Sequence, residues 1–336
     1  METKTYDKVK IKTNDSMAII EGSISPETLE SHKKLVIADY KKNVEVPGFR
    51  KGNAPEDMVI SHVGEASILE KSAGSALRNA YPNIVKDNDI KPISIPRITV
   101  TKLASGNPLE FKIEVALMPE FSLPNYKKIA KETISKKEAP KVTEKEVEDV
   151  ISEVQKIRGK EKETKELTDE TVKELGNFKS IADLREKVKE NLLLEKEVGA
   201  QKKTRQDIIA EISKEIKLTV PKIMIEDELQ NTRVRLDKEL EKRQMKKEDY
   251  LKAIKKTEEE FWSEEKTIIE KQLKDRFILK EIAEKEQVKV DDKEIEHELN
   301  HLKTHYPEAD EDRLRGYVEE ILVNEKVFSN FEKENS

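Results

Sequence analysis

The sequence predicts an α+β domain at the front of the chain, followed by an extended, all-α remainder with helical arms. Three observations carry this. Apolar residues alternate with a period of two at either end of residues 7–118, with helical spacing between. Helical spacing of Leu, Ile and Val then runs almost unbroken from Thr143 to the last residues. The composition suits long solvated helices better than one thick core: 40% of the 336 residues are charged, 5% are aromatic and 10 are glycine. So much periodic apolar content excludes simple disorder.

In chain order, Val9 and Ile11 alternate with lysines, Thr13 to Ser16 offer a turn, and Ala18, Ile20, Gly22 and Ile24 continue the alternation, so residues 7–24 read as two strands. Ser25-Pro26 is an N-cap followed by proline at the first helical position. The helix it opens carries Leu29, Val36 and Tyr40 on one side and runs to about Asn43. A loop over 44–55 follows, then more helix to about Lys86, with Ile68, Leu69, Ala76, Leu77 and Tyr81 as core candidates. Ile93, Ile95, Ile98 and Val100 suggest a strand broken by Pro96, and Leu109, Phe111, Ile113, Val115 and Leu117 a clean one. Strands, helices, strands make an α+β domain over 1–118. Residues 119–166 read as a proline-spotted, basic extended linker and one helix marked by Val147, Val150, Ile151, Val154 and Ile157, with Gly159 at its end. The third domain, 167–336, is helical. Its markers are Leu184, Val188 and Leu192; Ile208, Ile209, Ile212 and Ile216; a long helix opened by Pro221; another over about 247–287; and a last pair over 291–304 and 310–333.

Charge and cysteine content exclude several functions. The net charge of −6 is a small difference between 64 basic and 70 acidic residues, and neither part of the chain is basic enough for a general DNA or RNA binder. The absence of cysteine removes disulfides, thiolate metal sites and cysteine nucleophiles. The first residues hold no hydrophobic signal segment, and no apolar run approaches a membrane span, so a cytoplasmic location and no membrane partner are expected. No phosphate-cradling glycine loop with Lys-Ser or Lys-Thr occurs, and no nucleophile elbow. No cofactor is expected.

The loop at 44–55 stands out. Gly48 and Gly52 allow positive φ and a tight exposed turn that pushes Phe49, Arg50 and Lys51 outward, and Lys41, Lys42, Arg50 and Lys51 oppose only Glu45. An aromatic beside paired cations suits RNA phosphate and acidic protein surfaces, while a core-plugging phenylalanine is the plainer reading. The run Gly48-Phe49-Arg50-Lys51-Gly52-Asn53-Ala54-Pro55 resembles the ribosome-docking signature G-F-R-x-G-K-x-P of trigger factors. The strand and helix order around it is similar to that family's tail domain. Residues 218–229 (LTVPKIMIEDEL) and 279–295 (LKEIAEKEQVKVDDKEI) are similar to its helical body and late arm. The resemblance implies an ATP-independent chaperone whose Gly48, Phe49, Arg50, Lys51, Gly52, Asn53 and Pro55 meet the ribosome, both protein and rRNA, near the exit tunnel. It implies dispersed apolar patches, which the sequence cannot place, that hold nascent or unfolded polypeptides, and a homodimer away from the ribosome. Asn53 stands where the family has lysine, which removes one contact. The family's FKBP-like prolyl-isomerase domain is inserted after the helix ending here near Arg158, and only a short charged connector, 160–166, fills that place, so no isomerase site is expected.

Two other readings stand beside this one. A free cytosolic holdase needs the same helices but not the loop. A zinc peptidase is suggested by His297-Glu298-Leu299-Asn300-His301, with His305 as a third histidine. Against it, Ile295, Leu299 and Leu302 define the buried face, and at 100° per residue His297 lies about 200° from Ile295. The histidine stripe is therefore expected to face solvent and hold no catalytic metal. Phe261 and Trp262 are read as packing residues rather than a ligand cage.

Overall fold

The computed structural model describes residues 5–14, 16–159, 168–173 and 176–334. Their order is β1 Val9–Asn14, β2 Met17–Ile24, α1 Pro26–Asn43, α2 Glu56–Val63, α3 Glu65–Asp87, β3 Arg97–Lys102, β4 Leu109–Ala116, α4 Tyr126–Ser135, α5 Glu144–Gly159, α6 Asp169–Lys173, α7 Ile181–Lys214, α8 Lys222–Lys242, α9 Lys247–Ala253, α10 Glu258–Lys285, α11 Asp292–His305 and α12 Glu311–Lys333. The chain forms two compact units. The first takes Met1–Phe121 and Leu218–Lys274, the second Ser122–Lys217 and Asp275–Ser336.

In the first unit an antiparallel sheet runs in the order β1-β2-β4-β3. Its alternation puts Ala18, Ile20 and Ile24 of β2 beside Leu109, Phe111, Ile113 and Val115 of β4 on one face. Against that face α3 lays Ala73, Ala76, Leu77, Ala80 and Ile84. The small residues of α3 let helix and sheet approach closely. Gly22 pairs with Phe111, and a Cβ on Gly22 would stand 2.8 Å from Phe111 Cζ, so glycine makes the room that the ring fills. The α1 helix opens as expected: the Thr28 backbone N–H donates to Ser25 Oγ at 3.2 Å, with Pro26 following. Its buried residues Leu29, His32, Val36 and Ile37 lie on one face, and α1 packs along α3.

The first unit also takes in α8, α9 and the start of α10. Pro221 precedes α8, whose first turn buries Ile223, Met224 and Ile225. Arg97 sits beside Ile98 on β3, on the opposite face from the core, and donates to Glu226 at 2.9 Å and Asp227 at 2.8 Å. Phe261 is buried with its ring edge-on to Tyr250, and Trp262 carries Arg233 4.8 Å from its ring centre, so both aromatics pack α8, α9 and α10 together as expected.

The second unit is helical throughout its described part. The α5 and α7 helices are laced by Glu146 with Lys196, Glu148 with Arg185 and Glu144 with Lys189. Lys196 holds the Glu146 carboxyl down to about 2, helped by the Thr143 backbone N–H. Tyr126 and Ala130 of α4 are buried, and the Tyr126 hydroxyl donates to Glu286 at 2.5 Å. Burial, with Glu286 close by, pushes that phenol up to about 12. Lys127 bridges Glu286 and Glu334, tying α4 to the ends of α10 and α12.

The structure corrects several sequence readings. The stretch expected to be extended after residue 118 contains α4, because Asn125 caps it by accepting from the Lys128 N–H and Tyr126 has a buried partner. The separate helices expected between 184 and 216 are one 34-residue helix, α7, since no glycine or proline stands at a position that forces a stop. The single helix expected over 247–287 breaks at Lys255, whose φ is 55°, and Thr257 with Glu260 starts α10 afresh. Helix 56–86 divides at Gly64, φ 91°. Ile95, read as part of a strand, is 69% exposed; Ile93 instead donates its N–H to the Ala116 carbonyl. The connector 160–166 lies outside the described residues.

Several helices end on a left-handed residue that is not glycine. At Gln244, Lys255 and Gln287 φ is 50–55°, and the next N–H reaches back to the carbonyls of Leu240, Leu251 and Ala283. Left-handed backbone costs a side-chain-bearing residue roughly 1–2 kcal/mol. Gln244→Gly is therefore expected to raise stability by up to about 1 kcal/mol after glycine's entropy cost, read as a higher urea midpoint at unchanged slope. Gly22→Ala should lower stability by roughly 1–3 kcal/mol through overpacking against Phe111, read from the same denaturation curves.

Candidate functional site

The loop between α1 and α2 is built from two consecutive turns. The Phe49 N–H donates to the Val46 carbonyl at 3.1 Å and the Asn53 N–H to the Arg50 carbonyl at 2.9 Å. Gly48 (φ 85°) and Gly52 (φ 90°) each hold the third position, which requires positive φ in a type II turn, and Pro47 holds the second position of the first turn, where its ring presets φ. Val46 and Ala54 are buried at the two feet of the loop against Val59, with Tyr40 and Val63 alongside. The feet are fixed in a small apolar cluster, and the tip projects.

That tip presents Phe49, Arg50 and Lys51. Phe49 is 39% exposed and does not plug the core, so the plainer sequence reading fails on burial. Arg50, Lys51, Asn53 and Pro55 are exposed, and neither Arg50 nor Lys51 makes an ion pair among the described residues. On α1, Asp39 accepts from Lys71 at 3.0 Å, which holds its carboxyl below the usual range, and Lys71 also lies over the Tyr40 ring. The arrangement offers a flat aromatic and a forked cation whose donors are free for phosphate or carboxylate oxygens.

The histidines of the 297–305 stretch face solvent. His297 has 82% of its side chain exposed and its Nδ1 lies 3.2 Å from Glu298, while Ile295 and Leu299 carry the buried face. Among the described residues no three His, Asp or Glu side chains are placed to hold a metal ion. No helix there is long and apolar enough to cross a membrane.

Apolar side chains lie exposed on two helices of the second unit. On α7, Leu194 is 61% and Val198 58% exposed, with Leu193 beside them. Leu194 and Val198 border a shallow groove with Ile134, Ala139 and Pro140, and Val198 continues into a second with Ile209, Leu279 and Phe328. Tyr317 and Ile321 are exposed on α12. The run Leu192-Leu193-Leu194 was the sequence signal: three consecutive leucines cannot all lie on one helical stripe.

Comparison with known proteins gives the family. The family model of the bacterial trigger factor protein matches residues 7–154, and the model of that protein's C-terminus matches 180–335. The chain belongs to the trigger factor family. Between the two matches lie only residues 155–179, too few for an independently folding domain of the isomerase kind. The trigger factor of Lactococcus lactis subsp. cremoris is 33% identical over 144 residues, 43% of this chain and 33% of its own length. That of Natranaerobius thermophilus is 30% identical over 154 residues, 46% of this chain and 32% of its own. The matched stretch thus spans about a third of these curated relatives. A solved trigger factor chaperone, studied for promiscuous substrate recognition in folding and assembly, covers 98% of this chain and 100% of its own at 17% identity and a TM-score of 0.54, a likeness of fold.

The first unit of this trigger factor chain also holds a buried titratable group between α1 and α3. His32 of α1 is buried, with Nδ1 2.9 Å from Ser75 Oγ of α3, and burial lowers its pKa from 6.5. The folded state therefore favours neutral imidazole, and its contribution is complete above pH 6.5 and lost as pH falls below it. The urea midpoint is expected to fall between pH 7 and pH 5.5, and His32→Gln should flatten that slope.

Proposed function

We propose that this chain is an ATP-independent chaperone without isomerase activity that docks at the ribosomal exit tunnel through its 48–55 loop and shields nascent polypeptides in the cytoplasm. The observation that carries the reading is the tip itself: Phe49, Arg50 and Lys51 exposed on paired turns whose feet are buried. Because the turns are preset by Pro47, Gly48 and Gly52, little conformational freedom remains to be lost on docking. Arg50 pairs with rRNA phosphate or an acidic ribosomal protein, and Phe49 covers apolar surface beside it. Asn53 in place of the family's lysine weakens the contact and makes it more readily reversible.

Client binding rests on Leu193, Leu194 and Val198 of α7 with Tyr317 and Ile321 of α12. Each such patch holds an unfolded segment weakly, and several together hold it by avidity, so release needs no ATP. Away from the ribosome the same apolar surfaces pair two copies of the chain, which keeps them covered.

Co-sedimentation with bacterial ribosomes at physiological salt tests this. The parent should pellet, and Phe49→Ala/Arg50→Ala/Lys51→Ala should lower affinity by about tenfold or more, as expected for loss of exposed hot-spot contacts. The triple variant should still suppress aggregation of a denatured client, whereas Leu194→Glu/Val198→Glu should impair suppression and leave pelleting intact. If the parent does not pellet yet still suppresses aggregation, the chain is a free holdase.

A further inference from the structure

The sequence motif pairs His297 with His301, but the structure brings together a different pair. His301 and His305, one turn apart on α11, have ring centroids 5.2 Å apart at an interplanar angle of 66°. No such ring contact joins His297 to His301 among the described residues; His297 instead turns toward Glu298. We propose that His301 and His305 together bind a divalent transition metal ion of the zinc, nickel or copper class, with water completing the coordination.

The geometry argues for this directly. With a metal–nitrogen distance of about 2.1 Å and about 1.2 Å from ring nitrogen to ring centre, two imidazoles on a tetrahedral ion have centroids roughly 5.3 Å apart. The free pair already stands at 5.2 Å, so the rings have the separation a shared ion needs, and turning each ring about its own axis brings one nitrogen of each to the ion. Both side chains are exposed, so no burial cost opposes the charge. Neither is tied to a carboxylate, and Lys303, the cation between them in sequence, is engaged by Glu311 at 2.6 Å. Nitrogen ligands without an oxygen cage select borderline transition ions over magnesium or calcium, and copper over nickel over cobalt.

The location gives the site a structural consequence. His305 is the last residue of α11, and the Thr304 hydroxyl already donates to the His301 carbonyl at 2.6 Å. A metal bridging positions i and i+4 clips this final turn, which otherwise ends at Tyr306 without glycine. Binding should slow amide exchange at the end of α11 and nowhere remote from it.

Titration of the tag-free full chain with nickel chloride, followed by calorimetry and amide exchange, tests the site. One saturable site is expected. His301→Gln and His305→Gln should each weaken it by about tenfold or more, while His297→Gln leaves it unchanged within about twofold. All three residues are exposed, so the variants should fold, which circular dichroism confirms. No saturable binding at millimolar nickel, or loss on His297→Gln equal to that on His305→Gln, overturns the assignment.

Discussion

The chain has little apolar material to spend on its interior, and that scarcity governs the rest of the structure. With 35% hydrophobic residues against 40% charged ones, it cannot wrap every element in a common core. The sheet and α3 concentrate the richest part of it: Ile20, Ile24, Leu77, Ile84, Leu109, Phe111 and Ile113 are almost wholly buried. Elsewhere each helix buries a narrow stripe, such as Ile208, Ile209 and Ile212 on α7 or Ile295 and Leu299 on α11. The remaining faces are held by exposed ion pairs, each worth little alone, which add direction and solubility more than stability. Helices so thinly buried leave some apolar residues exposed, Leu194 and Val198 of α7 among them.

The same scarcity explains why the α1–α2 loop is built from backbone. A loop with a large core beneath it can be fixed by side-chain packing. Here the feet rest only on Val46, Ala54 and Val59 with Tyr40 and Val63, and the tip is shaped by two turn hydrogen bonds and two positive-φ glycines. Rigid turns leave Phe49, Arg50 and Lys51 free of structural duty. Their exposure therefore costs the fold little, and their replacement should change binding far more than stability.

Much of this was legible in the sequence, for physical reasons that can be named. Alternation with a period of two located β2 and β4, because one face of each is buried by α3. Ser25-Pro26 marked the start of α1 through capping chemistry. Gly48 and Gly52 announced the loop, and helical geometry put the 297–305 histidines on the solvent side. Other features were not legible. The α4 helix hides in a proline-spotted basic stretch, because its partners lie far along the chain, Glu286 being 160 positions on from Tyr126. The break at Lys255 carries no glycine to betray it. The assignment of Leu218–Lys274 to the same compact unit as the sheet depends on contacts such as Arg97 with Glu226, which no local pattern records.

The proposed function divides the labour: the α1–α2 loop would meet the ribosome, and the exposed face of α7 the client. Site-specific photo-crosslinking on translating ribosomes reads both at once, with a photoreactive residue at position 51 or at position 194. Position 51 should capture ribosomal components whether or not a nascent chain is present, and position 194 should capture the nascent chain. Capture of nascent chain from position 51 and none from position 194 would contradict it.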